Sequence, residues 1–208
     1  VAAAAEEIIR PLALPQLRLR FAVTPVEHPG GEAEVAGQRC QVAAHGADTV
    51  TLTVQANPGE AAGDVAAVAS GGETSRIHLG LSLLRRGDRA PLIQLYDEVD
   101  AGLGMDAATP VALLLRRLAR GAQAVCITHL PTVAVHGREQ WAVRKHVRGG
   151  RTSLQLARLD GDDRVAEVAR QLGGEGWRQG DAAAQTAYAR QLLAAAGGGG
   201  EPGDLARS

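Results

Sequence analysis

A run of small and acidic residues in this 208-residue chain has the spacing needed to bind a phosphate group. Ser70, Gly71, Gly72 and Glu73 precede a stretch that predicts a helix. The first N–H groups of a helix lack backbone partners, and residues without bulky side chains let a phosphate approach them. Ser70 and Glu73 also have the spacing of a capping box. The run therefore predicts a helix start that can bind phosphate, although plain helix starts also carry this pattern.

Two adjacent acids, Asp97 and Glu98, follow the apolar stretch 91–96, which has the length of a buried strand. In open α/β sheets, ligands bind at the carboxyl ends of the strands. A carboxylate there can bind Mg²⁺, usually through water, and a neighbouring carboxylate can activate water as a general base. We expect Asp97 to take the first role and Glu98 the second. The alternative is an acidic loop that caps the next helix.

One of the six histidines, His129, follows a second apolar stretch at 122–128. If the two apolar stretches are parallel strands, His129 lies at the same sheet edge as the two acids. A neutral imidazole can hydrogen-bond a terminal phosphate oxygen and help to orient water. Together with the two motifs above, His129 predicts nucleotide hydrolysis.

The elements that position these residues alternate between short apolar stretches and helical patterns, which predicts an α/β fold with a mainly parallel sheet. A peripheral hairpin is predicted where 140–147 and 152–159 flank the sequence Arg-Gly-Gly-Arg. The other predicted elements are helices at 1–10, from Ser70 towards Gly87, and at 106–120, 163–172 and 181–196, with further strands at 17–21 and 49–55. Residues 27–47 are rich in glycine and predict hairpins or a loop.

The composition excludes several classes of protein. A hydrophobic content of 45% is sufficient for a core, and the net charge of −1 confines any nucleic-acid contact to a local patch. The two cysteines, Cys40 and Cys126, lie far apart and give no disulfide framework. Apolar runs are too short to span a bilayer, so we expect no membrane contact and a cytoplasmic protein.

The order and spacing of the motifs resemble the C-terminal lobe of an ABC-type ATPase head, of the kind found in structural-maintenance-of-chromosomes (SMC) proteins. Residues 69–73 look like the signature motif, 92–98 like Walker B and 128–131 like the switch-histidine loop. The sequences A-N-P-G-E, A-S-G-G-E-T-S-R-I, Y-D-E-V-D-A-G-L-G and C-I-T-H-L-P-T-V-A are similar to the RecN family of bacterial double-strand-break repair proteins. This resemblance covers about residues 10–195.

The resemblance implies ATP and Mg²⁺ as cofactors and two heads that enclose two ATP molecules. Asp97, Glu98 and His129 would serve the ATP of their own head, and residues 70–73 would face the ATP of the opposing head. The implied organisation is the end of a coiled-coil helix at 1–10, the C-terminal head lobe at 11–196 and a disordered tail at 197–208. DNA is the implied wider partner, with a nucleoid-associated location in the cytoplasm.

A Walker A loop, which needs a lysine after a glycine-rich turn, is missing from the chain. Lys145 is the only lysine, and it lies in W-A-V-R-K-H-V. The resemblance assigns that loop to an N-terminal lobe of the same full-length protein, with Val1 continuing a longer helix. It also implies a second head as a homodimer partner. The chain on its own is therefore expected to be half of an ATPase site.

The D-loop position, an aspartate in transporters, is Gly104 here, and we transfer its role to no other residue, including Asp100. Two other functions remain open: the nucleotide-binding subunit of an ABC transporter, and a catalytically silent dimerisation or clamp module. D-E-V-D in place of D-E-P argues against the first, and the intact acids and histidine argue against the second. A basic cluster in the predicted hairpin either contacts DNA phosphates or is a solvated surface: Arg144, Lys145, His146, Arg148 and Arg151.

Overall fold

The computed structural model divides the chain into two compact units, Val1–Arg86 and Gly87–Ser208. It describes residues 1–35, 37–59, 61–84, 93–148, 150–174 and 176–198. Within these ranges no helix has both the length and the apolar character needed to cross a membrane.

The first unit combines two packed helices with a small antiparallel sheet. Its elements are α1 (Ala2–Ile9), β1 (Arg18–Pro25), β2 (Ala33–Val35), β3 (Gln38–Cys40), β4 (Asp48–Gln55), β5 (Gly63–Asp64), α2 (Val65–Val68) and α3 (Gly71–Leu84). Strands β1 and β4 pair over their full lengths, and β5 adds a short third strand next to β4. Strands β2 and β3 form a separate hairpin inside the glycine-rich stretch.

The core of the first unit lies between α1, α3 and the sheet. Ile9, Leu17 and Val54 are fully buried, and Ile77 of α3 packs with them. A buried carboxylate needs polar partners, and Glu6 has them: its Oε1 accepts a 2.8 Å hydrogen bond from the Leu19 N–H and its Oε2 pairs with Arg10. Glu6 thus joins α1 to the start of β1.

The second unit contains one parallel pair of strands, one long hairpin and a group of helices. Its elements are β6 (Ile93–Tyr96), α4 (Met105–Leu118), β7 (Gln123–Cys126), α5 (Pro131–Ala134), β8 (Gln140–Arg148), β9 (Arg151–Leu159), α6 (Gly161–Gly173), a 3₁₀ turn (Trp177–Gln179) and α7 (Ala182–Gly198). Strands β6 and β7 are parallel, with Ile93 opposite Gln123 and Tyr96 opposite Cys126.

A helical core supports the second unit. Helices α6 and α7 pack together around buried Val168, Ala169 and Ala189. Helix α4 buries one apolar side and packs against α5. A 2.8 Å hydrogen bond from Arg116 of α4 to the Ala196 carbonyl joins α4 to α7.

The predicted α/β class and the predicted hairpin are confirmed. The prediction of a mainly parallel sheet holds only for β6 and β7, because the other ladders among the described residues are antiparallel. Alternating strand and helix patterns indicate parallel pairing only where a helix connects two neighbouring strands of one sheet. Here α4 does so between β6 and β7.

The predicted element boundaries agree with the structure to within a few residues. Helix α7 includes residues 197 and 198, the first two residues of the tail expected to be disordered at 197–208. Residues 199–208 lie outside the described ranges, as do Glu60, residues 85–87 at the end of the helix predicted to run towards Gly87, residues 88–90, and the first two residues of the strand predicted at 91–96.

Candidate functional site

The two predicted acids lie directly after β6. Gln94 and Tyr96 are buried on one face of this strand, and the Tyr96 hydroxyl donates a 2.6 Å hydrogen bond to Gln94 Oε1. Asp97 and Glu98 follow and are exposed. The backbone of Glu98 has φ = +55°, a left-handed conformation that non-glycine residues seldom adopt and that often marks functional sites.

Two buried residues anchor the turn that carries these acids. Val99 is fully buried and Asp100 is 1% exposed. The backbone closes the turn with hydrogen bonds from the Ala101 N–H to the Glu98 carbonyl at 2.9 Å and from the Leu103 N–H to the Asp100 carbonyl at 3.1 Å. The turn therefore presents two acids to solvent and buries a third.

His129 lies next to the acid turn, as predicted. The Ile127 N–H donates a 2.9 Å hydrogen bond to the Tyr96 carbonyl, which extends the pairing of β6 and β7 to the residue before Asp97. Two residues later, the His129 side chain is 72% exposed. The parallel strands therefore deliver Asp97, Glu98 and His129 to the same end of the pair.

Asp100 connects the acid turn to the histidine turn. Its Oδ2 accepts hydrogen bonds from the Thr128 hydroxyl and, at 3.3 Å each, from the N–H groups of His129 and Leu130. The Nδ1 atom of His129 lies 3.5 Å from the same oxygen. The Thr128 hydroxyl also accepts a 3.0 Å hydrogen bond from the Leu130 N–H. No role was predicted for Asp100 from the sequence. The one feature that could have indicated a role is that Asp100 is an acidic residue directly after an apolar residue in the D-E-V-D turn.

Cys126, at the end of β7, has a thiol whose pKa is raised to about 12 by burial and by the nearby carboxylates Asp100 and Asp97. A thiol is a good nucleophile or metal ligand only when it is deprotonated. Cys126 therefore carries a neutral thiol beside the acids. Cys40 is also a free thiol and is buried.

The predicted phosphate-binding turn, in the first unit, forms the expected capping box. The Ser70 N–H donates a 2.8 Å hydrogen bond to Glu73 Oε2, and the Glu73 N–H donates a 3.3 Å hydrogen bond to Ser70 Oγ. Ser70 and Gly71 are exposed, Gly72 is buried, and α3 begins at Gly71. The carboxylate of Glu73 is thus occupied by the cap, while the exposed start of α3 remains open to an anion.

The carboxylates after β6 suit a magnesium ion that takes most of its ligands from elsewhere. Within the described ranges, no group of three or more His, Cys, Asp and Glu side chains could bind a metal by itself. Mg²⁺ typically binds through one or two carboxylates together with water and substrate phosphates. An exposed Asp97 fits that kind of site, with Glu98 beside it.

Three basic residues of the hairpin share one face. Because successive side chains of a strand point to opposite faces and paired residues share a face, Arg144, His146 and Arg151, the partner of position 148, lie on one side and Lys145 on the other. His146 Nε2 lies 3.1 Å from Gln155 Oε1, whereas Lys145 is opposite Leu154. A patch that contacts DNA phosphates and a solvated surface are both compatible with this arrangement.

Comparison with known proteins gives close matches over most of the chain. It is 39% identical over 192 residues to the DNA repair protein RecN of Streptomyces coelicolor, covering 92% of this chain and 33% of the relative. It is 38% identical over 187 residues to RecN of Deinococcus radiodurans, covering 90% of this chain and 30% of that protein. The chain thus spans about a third of the length of these curated relatives. No family model matches the chain.

The fold also has a counterpart among solved structures. The Smc head domain with a coiled coil and joint from Pyrococcus yayanosii matches with a TM-score of 0.51 and 20% identity, covering 78% of this chain and 27% of that one. At this level of identity the likeness shows the fold alone. The chain therefore has the fold of part of an Smc head domain.

Proposed function

This chain belongs to the RecN family, of whose members it spans about a third, and we propose that it is the C-terminal half of an ATP-binding and hydrolysing head. The head would belong to an SMC-like protein that acts in DNA double-strand-break repair and recombination. The observation that carries the proposal is that Asp97, Glu98 and His129 lie at one end of the parallel strands β6 and β7. Nucleotide hydrolysis needs a metal ligand, a general base and a phosphate contact at one place, and these side chains can supply them.

An exposed apolar surface supports the idea that this is half of a head. Ile93, Leu95, Val125 and Ile127, called here the apolar face, are 59%, 72%, 39% and 61% exposed. They alternate with inward residues along β6 and β7, and Leu95 is directly opposite Val125. Parallel sheets are normally covered on both faces. The chain has an uncovered sheet face and no Walker A loop. A second lobe would cover the apolar face and supply that loop.

Each side chain after the strands has a distinct task in this proposal. Asp97 would hold Mg²⁺ through water, and the charge of the ion would offset that of the ATP phosphates. Glu98 accepts a proton from the attacking water. His129 contacts the terminal phosphate or the water and keeps both in line. Glu98 is exposed and the Val99 that follows it is buried, so the attacking water can reach the Glu98 carboxylate.

The start of α3 acts on the ATP of a second head. The Gly71 N–H and the Ser70 hydroxyl bind the γ-phosphate, and Gly72, which has no side chain, permits the close approach. Glu73 contributes by completing the cap that orders this turn. Because each ATP then contacts two heads, ATP binding drives dimerisation and hydrolysis releases it. The proposed partners of this chain are an N-terminal Walker A lobe, a second identical head and DNA. The proposed location of the whole protein is the cytoplasm, in association with the nucleoid.

Complementation between lobes tests the proposal. The chain alone should not turn over ATP, whereas the chain mixed with a separately produced Walker A lobe should do so in the presence of Mg²⁺. A mixture that forms a complex and binds ATP but hydrolyses none would instead identify a silent dimerisation or clamp module. The control is the same mixture with Asp106→Asn, which changes an exposed acid in the first turn of α4.

A further inference from the structure

We propose that Asp100 is a positioning residue that fixes the ring of His129 with its Nδ1 proton facing the carboxylate and its Nε2 directed to the attacking water. This inference rests on the ATPase function proposed above. Asp100 does not reach the reacting atoms in the proposed mechanism, because its side chain is only 2% exposed. It acts through the histidine turn.

Three hydrogen-bond donors converge on one oxygen atom of Asp100. Burial of a carboxylate is costly unless hydrogen bonds compensate it. Oδ2 of Asp100 receives the Thr128 hydroxyl and the N–H groups of His129 and Leu130. This set of donors fixes the backbone from residue 128 to residue 130, so the base of the His129 side chain has a defined position.

Asp100 also lies close enough to the His129 ring to favour one of its tautomers. Nδ1 of His129 lies 3.5 Å from Oδ2, so an unprotonated Nδ1 would place its lone pair against a carboxylate. The carboxylate therefore favours the form with a proton on Nδ1, as in carboxylate–histidine pairs elsewhere. Nε2, on the far edge of a ring that is 72% exposed, is left for the ligand. In this tautomer Nε2 is an acceptor and can orient the attacking water.

Asp100 also sets the position of Glu98, the proposed general base. Asp100 comes two residues after Glu98, and the two are connected through the fully buried Val99. Fixing Asp100 against the turn at residues 128–130 therefore also fixes how far Glu98 stands from His129. A displacement of the Glu98 or His129 side chain would lower the rate of the chemical step, because catalysis depends on close alignment of the reacting groups.

The test combines a substitution with a measurement on the unaltered protein. In the complete protein, Asp100→Asn keeps the side-chain volume but removes the charge and adds an N–H₂ group beside the existing donors. We expect kcat for ATP hydrolysis to fall about 10- to 100-fold with little change in KM, as for other residues that orient a ligand through a partner. Asp106→Asn is the matched control. Wild-type turnover in Asp100→Asn would overturn the proposal.

Nitrogen-15 NMR of the histidine-labelled wild-type protein measures the tautomer directly. We expect His129 to carry its proton on Nδ1 and to lose this preference in Asp100→Asn, with the His129 signals assigned from a His129→Gln spectrum. A neutral His129 with its proton on Nε2 would overturn the proposal, and this result stands even if Asp100→Asn fails to fold. Absence of ATP turnover in the wild-type protein would refute the proposed function and leave the tautomer result unaffected.

Discussion

Gly80 of α3 lies so close to Ile9 of α1 that a β-carbon at position 80 would be 2.2 Å from Cγ1 of Ile9. Real β-carbons do not approach a neighbouring atom this closely, so the two helices can pack at this distance only because position 80 has no side chain. Helix α3 is the helix that begins with the Ser70–Glu73 cap. The contact therefore joins the proposed phosphate-binding helix to the first helix of the chain.

Gly80→Ala should destabilise the first unit even though alanine favours helices. Overpacking a tight core contact costs about 1–3 kcal/mol, against a gain of about 1 kcal/mol from helix propensity. We expect a net decrease in the free energy of unfolding, measured by denaturant titration. The double variant with Ile9→Ala should lose less stability than the sum of the two single variants. Gly121→Ala, at a position with open space around it, is the control, and equal effects at 80 and 121 would contradict the packing described.

The apolar face gives a second prediction. Leu95 is 72% exposed, so Leu95→Glu should leave the fold of the chain unchanged. If the Walker A lobe covers this face, the introduced carboxylate becomes buried without a partner, and the affinity between the two lobes should fall at least about 100-fold. Isothermal titration calorimetry measures that affinity. Leu113→Glu, an exposed leucine on α4, is the matched control, and equal affinities for the two variants would exclude the apolar face as the lobe interface.

The pH dependence of stability follows from His136. Burial, and then the positive charge of Arg116, lower the pKa of His136 below its ordinary value of 6.5. The unfolded chain therefore binds the proton at a higher pH than the folded chain does. The contribution of His136 to stability is complete above pH 6.5 and is lost as the pH falls through the lowered pKa. Between pH 7.5 and 5.5, the free energy of unfolding should decrease more in the wild type than in His136→Gln.

The exposed His45 provides the control for this measurement, because His45→Gln should leave the pH dependence as in the wild type. An identical pH dependence in wild type and His136→Gln would show that His136 has the same pKa in the folded and unfolded chain.

Ser70→Arg should separate ATP binding from head engagement. A bulky cation at the start of α3 blocks the approach of a second head, whereas the Walker A lobe that binds ATP is left intact. We expect unchanged ATP affinity and loss of ATP-dependent dimers, measured by light scattering of the complete protein. Ser153→Arg, on the exposed hairpin, controls for the added charge. Dimers that persist in Ser70→Arg would contradict the proposed role of this turn.

The parts of the structure that depend on local spacing were predictable from the sequence. The Ser70–Glu73 cap needs only residues three apart, and its two hydrogen bonds are present. The parallel pairing of β6 and β7 follows from two apolar strands connected by an amphipathic helix, and it brings His129 beside the acids. The capping and pairing rules both act over short stretches of chain, which is why pattern analysis finds them.

The contacts that depend on distant residues were not predictable. Asp100 is 28 positions from Thr128, and no rule of spacing pairs a turn acid with a threonine hydroxyl in another turn. The continuation of α7 through Gly198 reflects packing of its earlier residues on α6, which overrides the low helix propensity of glycine.

Replacement of Glu98 by glutamine in the complete protein tests the central claim most directly. Glutamine has nearly the same shape but cannot accept the proton of the attacking water, while Asp97 remains for Mg²⁺. We expect Glu98→Gln still to bind ATP and to accumulate ATP-bound dimers. Its rate of ATP hydrolysis should fall by at least about 100-fold, as expected for loss of a general base. Steady turnover at the wild-type rate in Glu98→Gln would show that the acids after β6 are not the hydrolytic centre.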